Sequence, residues 1–190
     1  MKYRDIEHLA SMRFQQLNKD AFSELGIMFL KKIYFPLFYY SKEGFVLVSE
    51  NDKGIINGFV AGSFNFSKQL MFLNFKLFIN HFFVFVLNPL KYPLFIFGTL
   101  KPKKNQYNLE GHGKLSSMVV TEEAKGKGIG TLLTQKLLHK LRLKGVMKCY
   151  LYCREENLAA KNLYIKNGFI VKQKFKTNLG HWNLMICQQK

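Results

Sequence analysis

With 190 residues, 48% of them hydrophobic and 19 of them Phe, the chain is too apolar for a disordered one and long enough for a single domain that buries roughly 70% of its unfolded surface. Its net charge of +17 points to an anionic partner, whether coenzyme, nucleotide-linked substrate, nucleic acid or membrane surface, or to a Lys-rich composition spread along the whole chain. Cys149, Cys153 and Cys187 are odd in number, with no C-x-x-C spacing and no nearby His pair, so neither a disulfide framework nor a zinc site is expected.

The first residues, MKYRDIEHLA, place charges where a secretory signal needs an apolar run, and at most Met1 to Arg4 can form a short first strand. From Asp5 to Leu17, Ile6, Leu9, Ala10, Phe14 and Leu17 recur at three and four, which predicts a helix with Asp5 placed to cap it or to favour its N-terminus. Phe22, Leu25, Phe29, Ile33 and Leu37 predict a second, which Pro36 is expected to kink or end. Gly44 to Glu50 and Ile55 to Phe64 read as an antiparallel hairpin around Asn51-Asp52-Lys53-Gly54. Gly58 and Gly62 inside its second strand mark bulges or small-residue packing.

Ser67 to Lys104 is aromatic, and the stretch between Asp52 and Glu110 contains no acidic residue. A helix from about Lys68 to Leu87, a turn at Asn88-Pro89 and Tyr92-Pro93, and an extended or helical Leu94 to Leu100 are expected. Lys76, Asn80, His81, Asn88 and Lys91 interrupt it too often for a transmembrane span. The segment reads as a helical insertion packed on the core, with a peripheral membrane contact or a dimer face as the other readings.

A strand follows from Lys114 to Thr121, then a helix from Gly128 to Lys144 with Ile129, Leu132, Leu133, Leu137 and Leu141 on one face, ended by Gly145. Met147 to Arg154 alternates as a strand. Asn157 to Asn167 is a helix closed by Gly168, and Phe169 to Lys176 with His181 to Gln188 forms a last pair. The expectation is one mixed α/β (α+β) domain over residues 1–190.

The junction VVTEEAKGKGIG, Val119 to Gly130, joins a buried strand to a glycine-rich helix start, where unpaired amides and the helix dipole make an anion site. Its spacing of Lys125, Gly128 and Gly130 resembles the pyrophosphate loop of the GCN5-related N-acetyltransferase (GNAT) superfamily, with Lys where the family has Gln or Arg. A second stretch, Asn157 to Phe169, NLAAKNLYIKNGF, is similar to another signature of that superfamily, in the right order after it.

The resemblance implies a mostly antiparallel twisted sheet flanked by helices, with the segment near 67–104 as an extra apolar helical insertion. It also implies an acetyl-coenzyme-A-dependent N-acetyltransferase, cytoplasmic and bacterial by composition, that uses no metal and works by direct attack in a ternary complex. Under it Met118, Val119 and Val120 hold the pantetheine and polarise the thioester carbonyl. Lys125, Gly126, Lys127, Gly128, Ile129, Gly130 and Thr131 cradle the pyrophosphate, Asn157 bonds the coenzyme arm, and Tyr164 gives its proton to the thiolate. Many relatives carry a Glu at the position of Lys114, so the base does not carry over. Glu110 and His112 just upstream are candidates, acting directly or through water, with a structural or solvent-facing role for each as the other reading. An acceptor amine that is already partly neutral needs no strong base.

The acceptor implied is a small-molecule amine, such as an amino sugar or a nucleotide-linked one, with a protein N-terminal, lysine or antibiotic amine as alternatives. A catalytically weak coenzyme-binding or membrane-associated module is the contrasting reading. No recognition motif for nucleic acid is present, and either a monomer or a homodimer is compatible.

Overall fold

Alternation of apolar with small or polar residues produces six strands: β1 (Gly44–Glu50), β2 (Ile56–Ser63), β3 (Gly113–Val120), β4 (Lys148–Arg154), β5 (Ile170–Thr177) and β6 (Gly180–Gln188). They form one sheet in the order β1-β2-β3-β4-β6-β5. Every neighbouring pair is antiparallel except β3 with β4. The computed structural model describes residues 2–17, 24–70, 78–87, 89–91, 107–177 and 179–189.

Helices cover both faces, because successive residues of a strand point to opposite sides. On one face, α1 (Ile6–Gln16), α2 (Gly26–Phe29), a π-helical segment (Leu30–Tyr34) and α3 (Phe35–Tyr40) pack Leu9, Leu30, Ile33 and Phe35 against Phe59, Ala61 and Val119. On the other, α5 (Ile129–Arg142) and α6 (Leu158–Lys166) pack Leu133, Leu137, Leu141 and Tyr164 against Val60, Leu115, Leu151 and Met185. The hairpin turn closes as its composition predicts, with Asn51 Oδ1 accepting from the amides of Lys53 and Ile55, both at 3.0 Å. Gly58 and Gly62 leave room for α5: a Cβ would lie 3.3 Å from Leu133 at the first and 2.7 Å from Leu137 at the second.

Three expectations near the N-terminus are corrected. Tyr3–Asp5 is a 3-10 turn and not part of a strand. The Asp5 carboxylate does not cap α1, because it accepts from the Lys2 amide at 2.5 Å instead. Pro36 does not end its helix. The π-helical segment shifts the hydrogen-bond register just before it, so Pro36 falls in the first turn of α3, where a missing N–H costs little.

The insertion contributes the other half of that solution. Asn80, on α4 (Phe78–Leu87), donates from Nδ2 to the Lys32 carbonyl at 2.9 Å. That carbonyl lies four residues before Pro36 and so is the one a proline cannot serve. Val84 is fully buried in the same cluster, whereas Phe82, Phe85, Val86, Leu87 and Leu90 are exposed. Residues 66–70 are also helical; 71–77 and the expected Leu94 to Leu100 segment lie outside the described residues, as do Phe22 and Asn178. No described helix is long and apolar enough to cross a membrane.

Candidate functional site

β3 and β4 begin as parallel neighbours, with Gly113 opposite Cys149 and Lys114 opposite Tyr150, and their register goes no further. The cause lies in β3. Its pairing with β2 slips between Ala61 and Gly62, so that Ser116 is an extra residue, a β-bulge that bends the strand away. Beyond it, the edge of β3 from Leu115 to Val120 and that of β4 from Leu151 to Arg154 diverge into a wedge that no other described strand fills. Met118 and Val120 turn their side chains toward α5, and Ser117 and Val119 turn theirs to the opposite face.

The wide end of the wedge meets the glycine-rich loop. Gly126 and Gly128 hold φ of +76° and +79°, and a Cβ on either would meet nothing within 4 Å, so the backbone there faces open space. Gly128 is the N-cap of α5 and no side chain caps that helix. The Leu132 amide makes the first bond back to Gly128, at 3.0 Å, and the amides before it point outward at the positive end of a 14-residue helix. Gly130 serves packing: a Cβ there would lie 2.6 Å from Leu163 of α6, and Ile129 and Thr131 flank it in the first turn.

The two lysines of the loop differ. Lys125 is paired with Glu122 at 2.5 Å. Lys127 lines a 310 Å³ surface cleft with Asn51, Ile55, Ile56, Asn57, Thr121, Glu123 and Ala124, on the hairpin side of the loop. The Glu123 carboxyl is held below its ordinary range by a backbone hydrogen bond first, with smaller help from the Thr121 hydroxyl and Lys127.

Asn157 is the N-cap of α6, its Oδ1 accepting from the Ala160 amide at 3.0 Å. Tyr164 is buried on the sheet-facing side of α6, edge-on to Phe169 with ring centroids 5.7 Å apart. Burial pushes its phenol pKa well up, with Cys153 and Cys149 adding to the effect. Burial likewise raises the Cys149 thiol and takes that of Cys153 up to about 11. All three cysteines are free and buried.

Upstream of β3, Glu110 is exposed, and His112 is half-buried with Nδ1 2.9 Å from the Glu110 carbonyl oxygen. Leu109, in the same turn, packs on the cluster of Tyr150, Leu184 and Ile186. Both candidate bases therefore lie in the turn that leads into β3, near the closed end of the wedge. Sequence reasoning missed a buried pair on that face, the hydroxyls of Tyr34 and Ser117 2.7 Å apart. It also missed the Ser116 bulge, since neither a bulge nor a long-range hydroxyl contact leaves a local pattern. Among the described residues no group of three His, Cys, Asp or Glu gathers to hold a metal.

Comparison with known proteins bears on this geometry. Residues 91–169 match the family model described as the acetyltransferase (GNAT) family. The chain is similar to an uncharacterized N-acetyltransferase, YobR, of Bacillus subtilis, 43% identical over 61 residues, and to a mycothiol acetyltransferase of Nocardia farcinica, 40% identical over 57. These segments cover 32% and 30% of this chain but only 25% and 19% of the two relatives.

Among solved structures, the PaiA N-acetyltransferase of Thermoplasma acidophilum in complex with coenzyme A superposes with a TM-score of 0.63 at 16% identity, over 99% of this chain and 95% of that one. An aminoglycoside acetyltransferase, AAC(6′)-Ib, also in complex with coenzyme A, gives 0.65 at 15% identity over 99% and 91%. The match to the GNAT acetyltransferase family model, over residues 91–169, spans the strand, loop and helices of the wedge, and the fold of these solved acetyltransferases extends over nearly the whole chain.

Proposed function

We propose that the protein is an acetyl-coenzyme-A-dependent N-acetyltransferase, a single domain acting in the cytoplasm on a primary amine by direct attack in a ternary complex. The observation that carries the reading is the wedge, two parallel strands parted by a bulge and opening onto an uncapped helix start with two left-handed glycines. Open backbone at Gly126 and Gly128, beside the unpaired amides of the helix start, suits a pyrophosphate.

In this reading the amides from Gly126 to Thr131 hold the phosphates, with Lys125, which is paired with Glu122, and Lys127 adding positive charge to the loop. The parted edge of β3 at Met118, Val119 and Val120 holds the pantetheine and stabilises charge on the thioester oxygen. Asn157 uses its oxygen as a cap and offers its amide nitrogen to the arm. The amine nitrogen attacks the acetyl carbon and the carbon–sulfur bond breaks. Tyr164 protonates the departing sulfur, and the amine's proton leaves through His112 or water. Burial keeps Tyr164 protonated at neutral pH but makes it a reluctant acid, so its contribution lies at the modest end of general acid catalysis. The raised thiols of Cys149 and Cys153 support direct attack over an acyl-cysteine intermediate.

The acceptor we favour is an amino sugar, nucleotide-linked forms included, a choice supported by the charge of +17. Thiol release from acetyl-coenzyme A across a panel of amines, with product detection by mass spectrometry, tests the reading. Amine-dependent release with one acetylated product is expected; tight coenzyme binding with no product on any amine goes against it.

A further inference from the structure

The parted edge of β3 has lost its β4 neighbour, and side chains reach this part of the strand from both faces. On the α5 side the Thr134 hydroxyl, which donates to the Gly130 carbonyl at 2.8 Å, stands 3.5 Å from the Met118 sulfur, a weak acceptor. On the other side the hydroxyls of Tyr34 and Ser117 lie 2.7 Å apart, a full hydrogen bond between residues only 4% and 6% exposed. Ser117 follows the Ser116 bulge and precedes Met118, so this bond falls where the strand leaves its ladder.

Tyr34 is held from several directions. Its ring is edge-on to Phe35 at 5.2 Å and tilted against Phe38 at 5.1 Å, and the buried Arg13 guanidinium lies 4.8 Å from its centroid. It ends the π-helical segment, a rare register that recurs at functional sites, and Asn80 fixes that segment through the Lys32 carbonyl. Stability alone does not account for the hydroxyl pair, because two buried hydroxyls bonded to each other add little net and an apolar pair of the same shape is nearly neutral or stabilising.

We propose that Tyr34 is a positioning residue for acetyl transfer: through Ser117 it fixes the parted edge of β3, keeping the backbone at Met118 aimed at the thioester oxygen. The proposal rests on the acetyl-transfer reading, in which that edge holds the pantetheine. A backbone group serves developing oxyanion charge only when held within about 0.5 Å of its place, and a misplacement of about 1 Å costs on the order of 100-fold in rate. The β2 ladder supports one edge of β3 from Lys114 to Val120, whereas the edge facing β4 has no ladder beyond Lys114. A strand supported on one edge twists about its bulge, and a bond from Ser117 to a packed helix layer limits that motion. The glycine loop is anchored separately by α5, so the effect belongs to the chemical step and not to coenzyme affinity.

The test compares the wild type with Tyr34→Phe, Ser117→Ala and the double variant, as full chains with saturating acetyl-coenzyme A. Glucosamine, spermidine and a tripeptide with a free N-terminus serve as acceptors, the fastest being used throughout. Each single variant should lower kcat about tenfold while the KM for acetyl-coenzyme A changes less than about twofold. The double variant should be no slower than the slower single one, because both act through one bond. Ser117→Thr, which returns the hydroxyl, should recover most of the rate that Ser117→Ala loses. If Tyr34→Phe does not fold, the two Ser117 variants decide. Single variants with the wild-type kcat, losses that multiply in the double variant, or no recovery in Ser117→Thr overturn the proposal alone. Coenzyme A binding by calorimetry with no product from any amine overturns it together with the acetyl-transfer reading.

Discussion

On the α6 side of β4, Cys149, Leu151 and Cys153 meet Tyr164 and Phe169 in a buried apolar layer. On the other side of the same strand, Tyr150 and Tyr152 stand with Lys114 nearby and Arg154 over Trp182. One seven-residue strand thus serves two environments. Burial raises the thiols and the Tyr164 phenol of the first and the Tyr150 phenol of the second, while the second also sets Lys114 and Arg154 beside rings, the arginine paired with Glu156.

Changes on the coenzyme side should have the largest effects. Gly128→Val forces a β-branched residue to a φ of +79°, a strain of about 1–2 kcal/mol, and sets a side chain in the cradle. Coenzyme A affinity by calorimetry should fall about 100-fold, the loss of two charge-assisted hydrogen bonds, with the far-ultraviolet circular dichroism preserved. Unchanged affinity would remove the loop from the site.

Tyr164→Phe keeps the ring against Phe169 and deletes only the hydroxyl. Turnover should drop about 100-fold with coenzyme affinity altered less than about threefold, and a wild-type rate would take the acid role away from the closed face. Asn157→Ala should cost about 1 kcal/mol of stability in denaturant titration through the lost cap, since its Oδ1 receives the Ala160 amide. A further loss of coenzyme affinity would show that its nitrogen acts on the arm. The smallest effect is a null one: intact-mass measurement after mixing with acetyl-coenzyme A should find no acetyl adduct, because the buried Cys153 thiol stays protonated at neutral pH.

The two faces also differ in what a reader of the sequence can see. The loop and α5 are local objects, and the spacing of Gly126, Gly128 and Gly130 followed by Leu133, Leu137 and Leu141 marks both. Strand and helix order was equally readable, because each element carries its own period. The Ser116 bulge has no local signature, yet it opens the wedge. Lys114 could be seen to occupy a carboxylate's usual position, but the Phe66 ring that meets it arrives from 48 positions earlier in the chain. Pro36 was expected to kink or end its helix because the remedy is distant: a π-helical segment resets the register, and Asn80 satisfies the Lys32 carbonyl from the insertion.

Amide hydrogen exchange with and without coenzyme A tests the wedge most directly. Protection is predicted in peptides covering Met118 to Thr131, along the parted edge of β3 and the start of α5, with the β1–β2 turn at Asn51 to Gly54 unchanged. Protection confined to that turn and the cleft beside Lys127, with Met118 to Val120 exchanging as in the free protein, would contradict it.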